Sequence, residues 1–579
     1  MRKRFTTILG LLLTMTLQLQ AQEFEKAADA VKNMGLGWNL GNTLDAHLQK
    51  VLDPSKDEFW GQQGLESETC WGQPKTTREL IHMMKEAGFG AIRVPVTWYN
   101  HMEPELAGIQ SEWMARVHEV VDYVIDEGLY CIINVHHDTG ANSDQYYHWI
   151  QADEEDYAHH GLRFTMLWMQ IAAEFKDYGE KLLFESHNEM LDKLSSWCYA
   201  SFNAPGQYDA DIAKSAYNTV NNYSNLFVQT VRATGGNNKT RNLILNTYAG
   251  ASGHDTWSSH LLDPLKEMVL PEDPEGGEGH LIFEIHNYPK IANLENAKKG
   301  LDANIENLKK YLGSQGAPLI YGEWGTSTVD TGEDYAKNRE NMIEYLKYYV
   351  KQCKANDIAT FYWMGLSDGA ARTIPAFNQA DLAEALAKAY HGDDFEGKFP
   401  TMDDVEMIYV VDYVDNWSEL FLFGDWGNAN TLKIGDYEAI RLEMEDDSYD
   451  GKLQVKVYGK DDKNTTRKLT GATTTVKFDD METTIGNEIT MITLQTLTGA
   501  QTARVKKATL IKADGTEEAT TIKSAWGCEV KTEVPTAIHS IEAVKGNQQN
   551  AAVYNLAGQR VSKAAKGVYI KDGKKYVVK

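Results

Sequence analysis

Two stretches of the chain share one construction. LLFESHNEM (182–190) is an apolar run that stops at Asn188 and Glu189, and PLIYGEWGT (318–326) is another that stops at Gly322 and Glu323. A short buried strand ending on a carboxylate is how a barrel presents an acid at its mouth. If both strands belong to one parallel barrel, Glu189 and Glu323 meet across one cleft although they are far apart in sequence. Paired carboxylates across a cleft suit the cutting of glycosidic bonds, one protonating the leaving oxygen and the other attacking the sugar carbon or activating water. Taken singly, either glutamate has the plain alternative of a surface carboxylate capping a helix.

The elements that would position this pair can be read from periodicity. From residue 33 onward apolar strands are expected at 35–40, 91–94, 130–135, 182–185, 243–246, 281–285, 319–321 and 360–363, with helical spacing between them, as in 77–87 and 340–353. Eight βα units predict an α/β chain built on a (β/α)8 TIM barrel. An open doubly wound sheet would need a Gly-rich phosphate turn, whereas Gly35, Gly37 and Gly41 fall within the first strand itself. Polar groups recur where the strands stop: Asn39, Arg93, His136 and His137, Asn188 and Glu189, His286 and Tyr288, Glu323, and Trp363. The two glutamates are the candidate catalytic groups and the others candidate substrate contacts. His136-His137-Asp138 has no third ligand at a familiar metal spacing, so neither metal nor cofactor is expected. Gly365-Leu366-Ser367-Asp368-Gly369 matches a nucleophile elbow, but only a short helical stretch follows it, too little to supply an acid and a histidine. Trp71, Trp98, Trp149 and Trp257 sit in or near loops after strands, and half are expected to touch substrate; Trp324 either lines the cleft or packs behind it.

Composition narrows the partners. With 579 residues and a formal charge of −26, the chain can hold several domains and is poorly suited to nucleic acid or an anionic membrane surface. Its 14 Trp and 29 Tyr offer flat faces for sugar rings. Residues 1–21 read as a secretory signal, with Arg2, Lys3 and Arg4 before an apolar run from Ile8 to Leu17 and Ala21 as the cleavage residue. No segment has the length of a membrane span, and five scattered cysteines do not make a disulfide scaffold. A secreted monomer is expected.

The ordered motifs carry a resemblance. MGLGWNLGNTLDA (34–46), ETCWGQPKTT (68–77), IRVPVTW (92–98), INVHHD (133–138), HNE (187–189), HNY (286–288), GEWG (322–325) and the Trp363 segment resemble glycoside hydrolase family 5, subfamily 4, over about residues 28–392. The resemblance implies a retaining endo-β-1,4-glucanase acting on cellulose, mixed-linkage glucan or xyloglucan, with a β-mannanase or broad xyloglucanase as the alternative. It makes Glu189 the acid/base, Glu323 the nucleophile, and Arg93, His136, Asn188, His286, Tyr288 and Trp363 supporting residues. Gln73 departs from the expected Asn and bears on a distal sugar contact. An alternative of another class is a glycan-binding barrel that has lost catalysis, against which both glutamates speak.

The remainder is organised differently. The expected order is a signal at 1–21, a catalytic barrel at 22–395, a β-sandwich at 396–535 and a β-rich segment at 536–579. Short alternating stretches at 406–413, 432–434, 439–444, 452–458, 473–478, 489–494 and 508–512 predict the sandwich. Trp417, Trp426 and Trp526 at its strand ends suggest carbohydrate binding, against a passive spacer. The tail from Ala552, with Tyr554-Asn555-Leu556, Gly558-Gln559-Arg560-Val561 and Gly567-Val568-Tyr569-Ile570, resembles the sorting domains of the Bacteroidetes type IX secretion route, with an edge hairpin as the alternative.

Overall fold

A computed structural model describes residues 24–48, 63–103, 107–143, 148–202, 207–253, 257–289, 291, 293–326, 335–404, 408–425, 431–520 and 522–533, and strand backbone at 553–555, 560–561, 567–571 and 574–578. The signal-like residues 1–21, Trp426 and most of the sorting-like tail lie outside the described residues. The chain divides into two compact units, Met1–Val405 and Glu406–Lys579.

The first unit is a closed parallel barrel. Its strands are β1 (Leu36–Asn39), β2 (Ala91–Val94), β3 (Tyr130–Asn134), β4 (Leu182–Glu185), β5 (Leu243–Ala251), β6 (Leu281–Asn287), β7 (Leu319–Trp324) and β8 (Ala359–Trp363). The ring closes by pairing of β8 with β1. All eight expected strands are present, with β5, β6 and β7 running further toward the rim than apolar content alone indicates.

Alternation along the strands sets what fills the barrel. Ala91, Ile132, Leu183, Ile244, Ile282, Ile320 and Phe361 form one buried cluster with Ala27, Ala30, Val31 and Met34 of the helix Ala27–Met34. That helix presents residues at i, i+3, i+4 and i+7, the spacing of a single face, and closes the apolar floor. Two residues beyond each floor residue the same strands carry Arg93, Asn134, Glu185, Asn246, Glu284, Gly322 and Trp363. A dry aliphatic floor therefore lies beneath a polar layer. The alternate strand residues Ile92, Val94, Ile133, Phe184, Leu245, Phe283 and Ile285 pack into the outer core.

The rim loops are anchored by buried ion pairs. Glu68, in the loop after β1, accepts from Arg116 Nε at 2.8 Å and Nη2 at 2.7 Å, and from the Thr76 amide at 2.8 Å. Arg116 belongs to the helix Ser111–Asp126, so one guanidinium ties that loop to the barrel wall. The boundary to the second unit falls ten residues later than the composition change indicates. Phe377 N donates to Pro400 O at 2.7 Å, and Lys398 N donates to Glu86 O at 3.0 Å. These backbone bonds keep the acidic, irregular segment with the first unit.

The second unit holds a β-sandwich. A five-stranded antiparallel sheet, with Glu419–Phe423, Leu453–Tyr458 and Met491–Thr496 at its centre, and a second sheet around Tyr437–Met444, Gln501–Lys512 and Ile408–Tyr413 share a core of Val411, Leu420, Leu422, Ile440, Leu442, Val455, Ile492, Leu494 and Val505. Among the strands the sequence reading lacks, Asn464–Lys468, Lys523–Trp526 and Cys528–Glu533 lie at sheet edges where polar composition hides the pattern, whereas Glu419–Phe423 is apolar and central. The strands at 553–578 form a separate four-stranded antiparallel sheet.

Removing Glu68 would leave Arg116 as a buried cation without its carboxylate. Glu68→Ala is expected to lower the unfolding free energy of the first unit by about 3 kcal/mol. Urea titration reads this as a lower midpoint at unchanged slope, and a midpoint equal to wild type would show that the pair contributes nothing.

Candidate active site

The polar layer is organised by one guanidinium. Arg93, fully buried on β2, donates from Nε to Glu185 at 2.6 Å, from Nη2 to Glu185 at 2.7 Å and to Asn188 at 2.9 Å, and from Nη1 to Asn39 at 3.0 Å and to Glu323 at 2.7 Å. All five N–H groups are used. A fifth oxygen-bearing neighbour, Glu284 Oε1, stands 3.3 Å from Nε. Burial opposes charge on Arg93, but Glu185, Glu284 and Glu323 outweigh it and hold the group firmly protonated. Asn39 is itself fixed, donating to the carbonyls of Gly322 and Phe361 at 2.9 and 3.1 Å. Asn39 and Arg93 thus lie beneath the cleft floor as supports.

Glu323 reaches the cleft through an irregularity of β7. Ile285 of β6 pairs with Tyr321 and His286 with Glu323, so Gly322 is an extra residue that turns Glu323 inward. A Cβ at position 322 would stand 1.4 Å from Oε1 of Glu284, which reserves the position for glycine. Glu323 Oε2 accepts the Tyr288 hydroxyl at 2.7 Å, opposite the Arg93 bond to Oε1. Trp324, by contrast, is buried and stacks on Tyr349 at 4.0 Å, so it packs behind the cleft.

Glu189 faces Glu323. Oxygens of the two carboxylates and a ring nitrogen of His286 lie within 4.8 Å of one another. His286 Nδ1 is 2.9 Å from Glu189 Oε1 and 3.6 Å from Glu323 Oε2. Burial pushes the Glu189 carboxyl up and Glu323 adds to the rise, with the His286 contact opposing. His286 goes up to about 10: burial works against its charge, and Glu323, Glu189 and Glu284 together outweigh burial. Burial pushes Glu185 up to about 7, Arg93 opposing and Glu284 reinforcing. The site is therefore a dense set of carboxylates around two cations.

The wall on the β3 side is neutral. Burial, helped by His137 and Arg93, lowers His136 well below the ordinary range, and its ring stacks parallel to Trp363 with centroids 5.9 Å apart. His136 Nε2 stands 4.0 Å from Glu323. His137 is partly exposed beside Trp71, ring centroids 5.2 Å apart. Asp138 is not a partner of the histidines; it accepts from the amides of Trp98 and Tyr99, both at 2.9 Å, and from Trp149 Nε1 at 2.7 Å. Asp45 is the carboxylate that approaches His136 and His137, the three donor atoms within 4.8 Å of one another. Neighbouring ligands of one zinc ion lie about 3.3 Å apart. Asp45 Oδ2 stands 3.8 Å from His137 Nε2, and the carboxylate already accepts the Thr43 and Asn42 amides.

Other sequence-singled residues find their places. Ser367 is buried with its hydroxyl on Ala376 O at 2.7 Å, which rules out a nucleophile elbow. Gln73 bridges the loop after β8, donating to Asp368 at 3.1 Å and accepting from the Gly369 amide at 2.9 Å. Trp98 and Trp149 are fully buried, Trp257 is 54% exposed and Trp71 is half-buried, so two of the four remain available to a ligand. Asn134, Glu185 and Glu284 are absent from the sequence-derived set although they share the layer of Arg93 and Trp363; their signal is a polar residue two beyond an apolar floor position.

Comparison with known proteins agrees with this geometry. Residues 52–368 match the cellulase family, glycosyl hydrolase family 5. Endoglucanase A of Ruminococcus albus is 35% identical over 335 residues, which is 55% of this chain and 80% of that protein. A GH5-4 broad specificity endoglucanase from an uncultured bacterium is 55% identical in the aligned structure, with a TM-score of 0.59 over 64% of this chain and 97% of that one. A glycoside hydrolase family 5 enzyme from Prevotella bryantii B14, solved in complex with a xyloglucan tetradecasaccharide, is 37% identical, with a TM-score of 0.54 over 64% of this chain and all of that one. The barrel, its facing glutamates and this match over more than half its length place the chain in glycosyl hydrolase family 5, as a glycoside hydrolase of the cellulase type.

Proposed function

We propose that the protein is a secreted, retaining endo-β-1,4-glucanase that hydrolyses β-glucan chains by double displacement. The observation that carries this reading is the separation of Glu189 and Glu323, whose closest oxygens lie within 4.8 Å. Retaining pairs stand at about 5 to 5.5 Å, and inverting pairs are wider to admit a water. In the first step Glu323 attacks the anomeric carbon while Glu189 gives its proton to the departing oxygen, forming a glycosyl ester. In the second, Glu189 takes a proton from water, the water oxygen bonds the anomeric carbon, and Glu323 leaves as carboxylate. Esterification removes the Glu323 charge that helps to raise Glu189, so the acid of the first step becomes the base of the second. Asn188 is held by Arg93 beside Glu189 for contact with the sugar 2-hydroxyl, and Trp363 with His136 forms a flat wall for the ring.

Cellulose, mixed-linkage glucan and xyloglucan are the proposed substrates. The Prevotella bryantii relative in complex with xyloglucan favours tolerance of branches. Secretion rests on the signal-like residues 1–21, and among the described residues no helix is long and apolar enough to cross a membrane. Glu189→Ala and Glu323→Ala are each expected to lower kcat on barley β-glucan by about 10³-fold. Proton NMR of the early wild-type product should show the β-anomer. An initial α-anomer would make Glu323 a base and remove the double displacement.

The sandwich is proposed to bind the same polymer. Trp417 and Trp526 are 55% and 57% exposed, and Trp417 holds a φ of +68° that an aromatic residue seldom adopts. Trp526 pairs in register with Glu419, two residues from Trp417, and Val414 N donates to Gly527 O at 2.9 Å, so the two indoles stand on linked segments. Placed in a Glu189→Ala background, a Trp417→Ala/Trp526→Ala pair should reduce retention on insoluble cellulose by about tenfold. Retention equal to the parent would leave the sandwich a spacer.

A further inference from the structure

Glu284 is the carboxylate that the two-glutamate reading leaves unexplained. It is fully buried on β6, and its Oε1 stands 3.4 Å from His286 Nε2 and 3.3 Å from Arg93 Nε. Its Oε2 is buried without a hydrogen-bond partner among the described residues. Burying an ionisable group with one oxygen unsatisfied does not serve stability. Two glycines make the arrangement possible. A Cβ at Gly322 would collide with the Glu284 carboxylate, and a Cβ at Gly250, where φ is +62°, would stand 2.8 Å from His286 Nδ1. The ring is thus walled by the β5 backbone and held between Glu284 at one nitrogen and Glu189 at the other.

We propose that Glu284 is a positioning residue that acts through His286, keeping a proton on Nε2 so that Nδ1 always faces Glu189 as its partner in proton transfer. The inference rests on the reading of Glu189 as acid/base. With Nε2–H committed to Glu284, one proton remains on the 2.9 Å line between Nδ1 and Glu189 Oε1. On nitrogen it makes an imidazolium beside a carboxylate; on oxygen it makes a neutral ring accepting from a carboxylic acid. Delivery to the leaving oxygen takes that proton from Glu189 and leaves the Nδ1 lone pair facing a carboxylate. The pair is then primed to take a proton from water in the second step. Without Glu284 the neutral ring is free to carry its single proton on Nδ1, where it would bond the Glu189 carboxylate and weaken it as a base. Besides Glu189 and Glu284, the groups whose charge is felt at or from His286 are Glu323, 3.6 Å from Nδ1, and His136. Glu284 is the one whose oxygen meets Nε2 within 3.4 Å.

The test compares kcat/KM against pH for two aryl cellobiosides. Phenyl β-cellobioside needs a proton on its leaving group, and 2,4-dinitrophenyl β-cellobioside does not. Glu284→Gln is expected to move the basic limb for the phenyl substrate down by about one pH unit, since it removes a negative charge that favours protonation of the ring. Its plateau should fall by about tenfold. The dinitrophenyl plateau should stay at wild type, and Glu284→Asp should bring the phenyl limb back up. An unmoved limb, or an equal loss on both substrates, would overturn the proposal and leave Glu284 a packing residue. Should Glu284→Gln fail to fold, nitrogen-15 NMR of the wild-type ring decides: a proton on Nε2 from pH 5 to 9 is expected, and a neutral ring protonated on Nδ1 overturns it. If Glu189→Ala shows no dependence on the leaving group, the acid/base reading itself fails, whatever Glu284 does.

Discussion

A single buried guanidinium governs the catalytic end of the barrel. Arg93 has no water to turn to, so its five donors must be met by the protein, and they are met by Glu185, Glu323, Asn188 and Asn39. The acceptors come from three strands or their ends, so one side chain fixes the relative heights of β1, β4 and β7 around β2. A buried ion pair contributes little net stability compared with an apolar isostere, and losing one partner is what is costly. The arrangement is therefore best understood as a device for geometry. Fixed dipoles and charges that need no reorganisation are how a site favours the transition state over the bound sugar.

Backbone irregularity refines what the guanidinium sets roughly. A regular β7 would present Gly322 inward and turn Glu323 away, because successive side chains alternate. The extra residue at Gly322 lets both be directed inward, the glycine leaving room for the Glu284 carboxylate and Glu323 projecting above it. The carbonyl of Gly322 in turn accepts from Asn39, so the bulge is tied back to the residue that holds Arg93. Glu323, Arg93, Asn39 and the bulge form one closed set of bonds.

Much of this was legible in the sequence, and the part that was not has a physical reason. The eight strands stood out because aliphatic runs bounded by polar residues have few other meanings in a repeating βα chain. Glu189 and Glu323 stood out because they terminate such runs. Glu185, Glu284 and Asn134 did not, because a polar residue inside a strand carries no mark of whether it faces the barrel interior or the outer helices. The alternation does carry that mark once the floor is known: Leu183 to Glu185, Ile282 to Glu284 and Ile132 to Asn134 are each one step of two along the same face. The tryptophans show the opposite limit. Trp98 and Trp149 are loop residues like Trp257, yet the first two donate to Asn134 O and Asp138 inside the wall and the third is open to solvent. No local pattern distinguishes them. The domain boundary was read early because the acidic segment after residue 393 looks like a linker, whereas its backbone bonds to Phe377 and Glu86 hold it to the barrel.

The charge inventory of the cleft follows from the chemistry it has to pass through. Four carboxylates, Glu185, Glu189, Glu284 and Glu323, surround two cations, Arg93 and His286, in a space closed to water from below. Fully ionised, the set would carry an excess of two negative charges in a poorly screened interior, which is why burial and mutual repulsion push Glu185 and Glu189 toward their protonated forms. In the proposed double displacement, esterification of Glu323 removes one negative charge, and the proton on the Glu189 side leaves with the departing sugar in the same step. The two losses balance, so the interior sees nearly the same net charge before and after the first displacement. A site built this way does not have to reorganise its buried ions as the reaction proceeds, and a cluster that looks electrostatically overloaded at rest is the one that stays balanced through turnover.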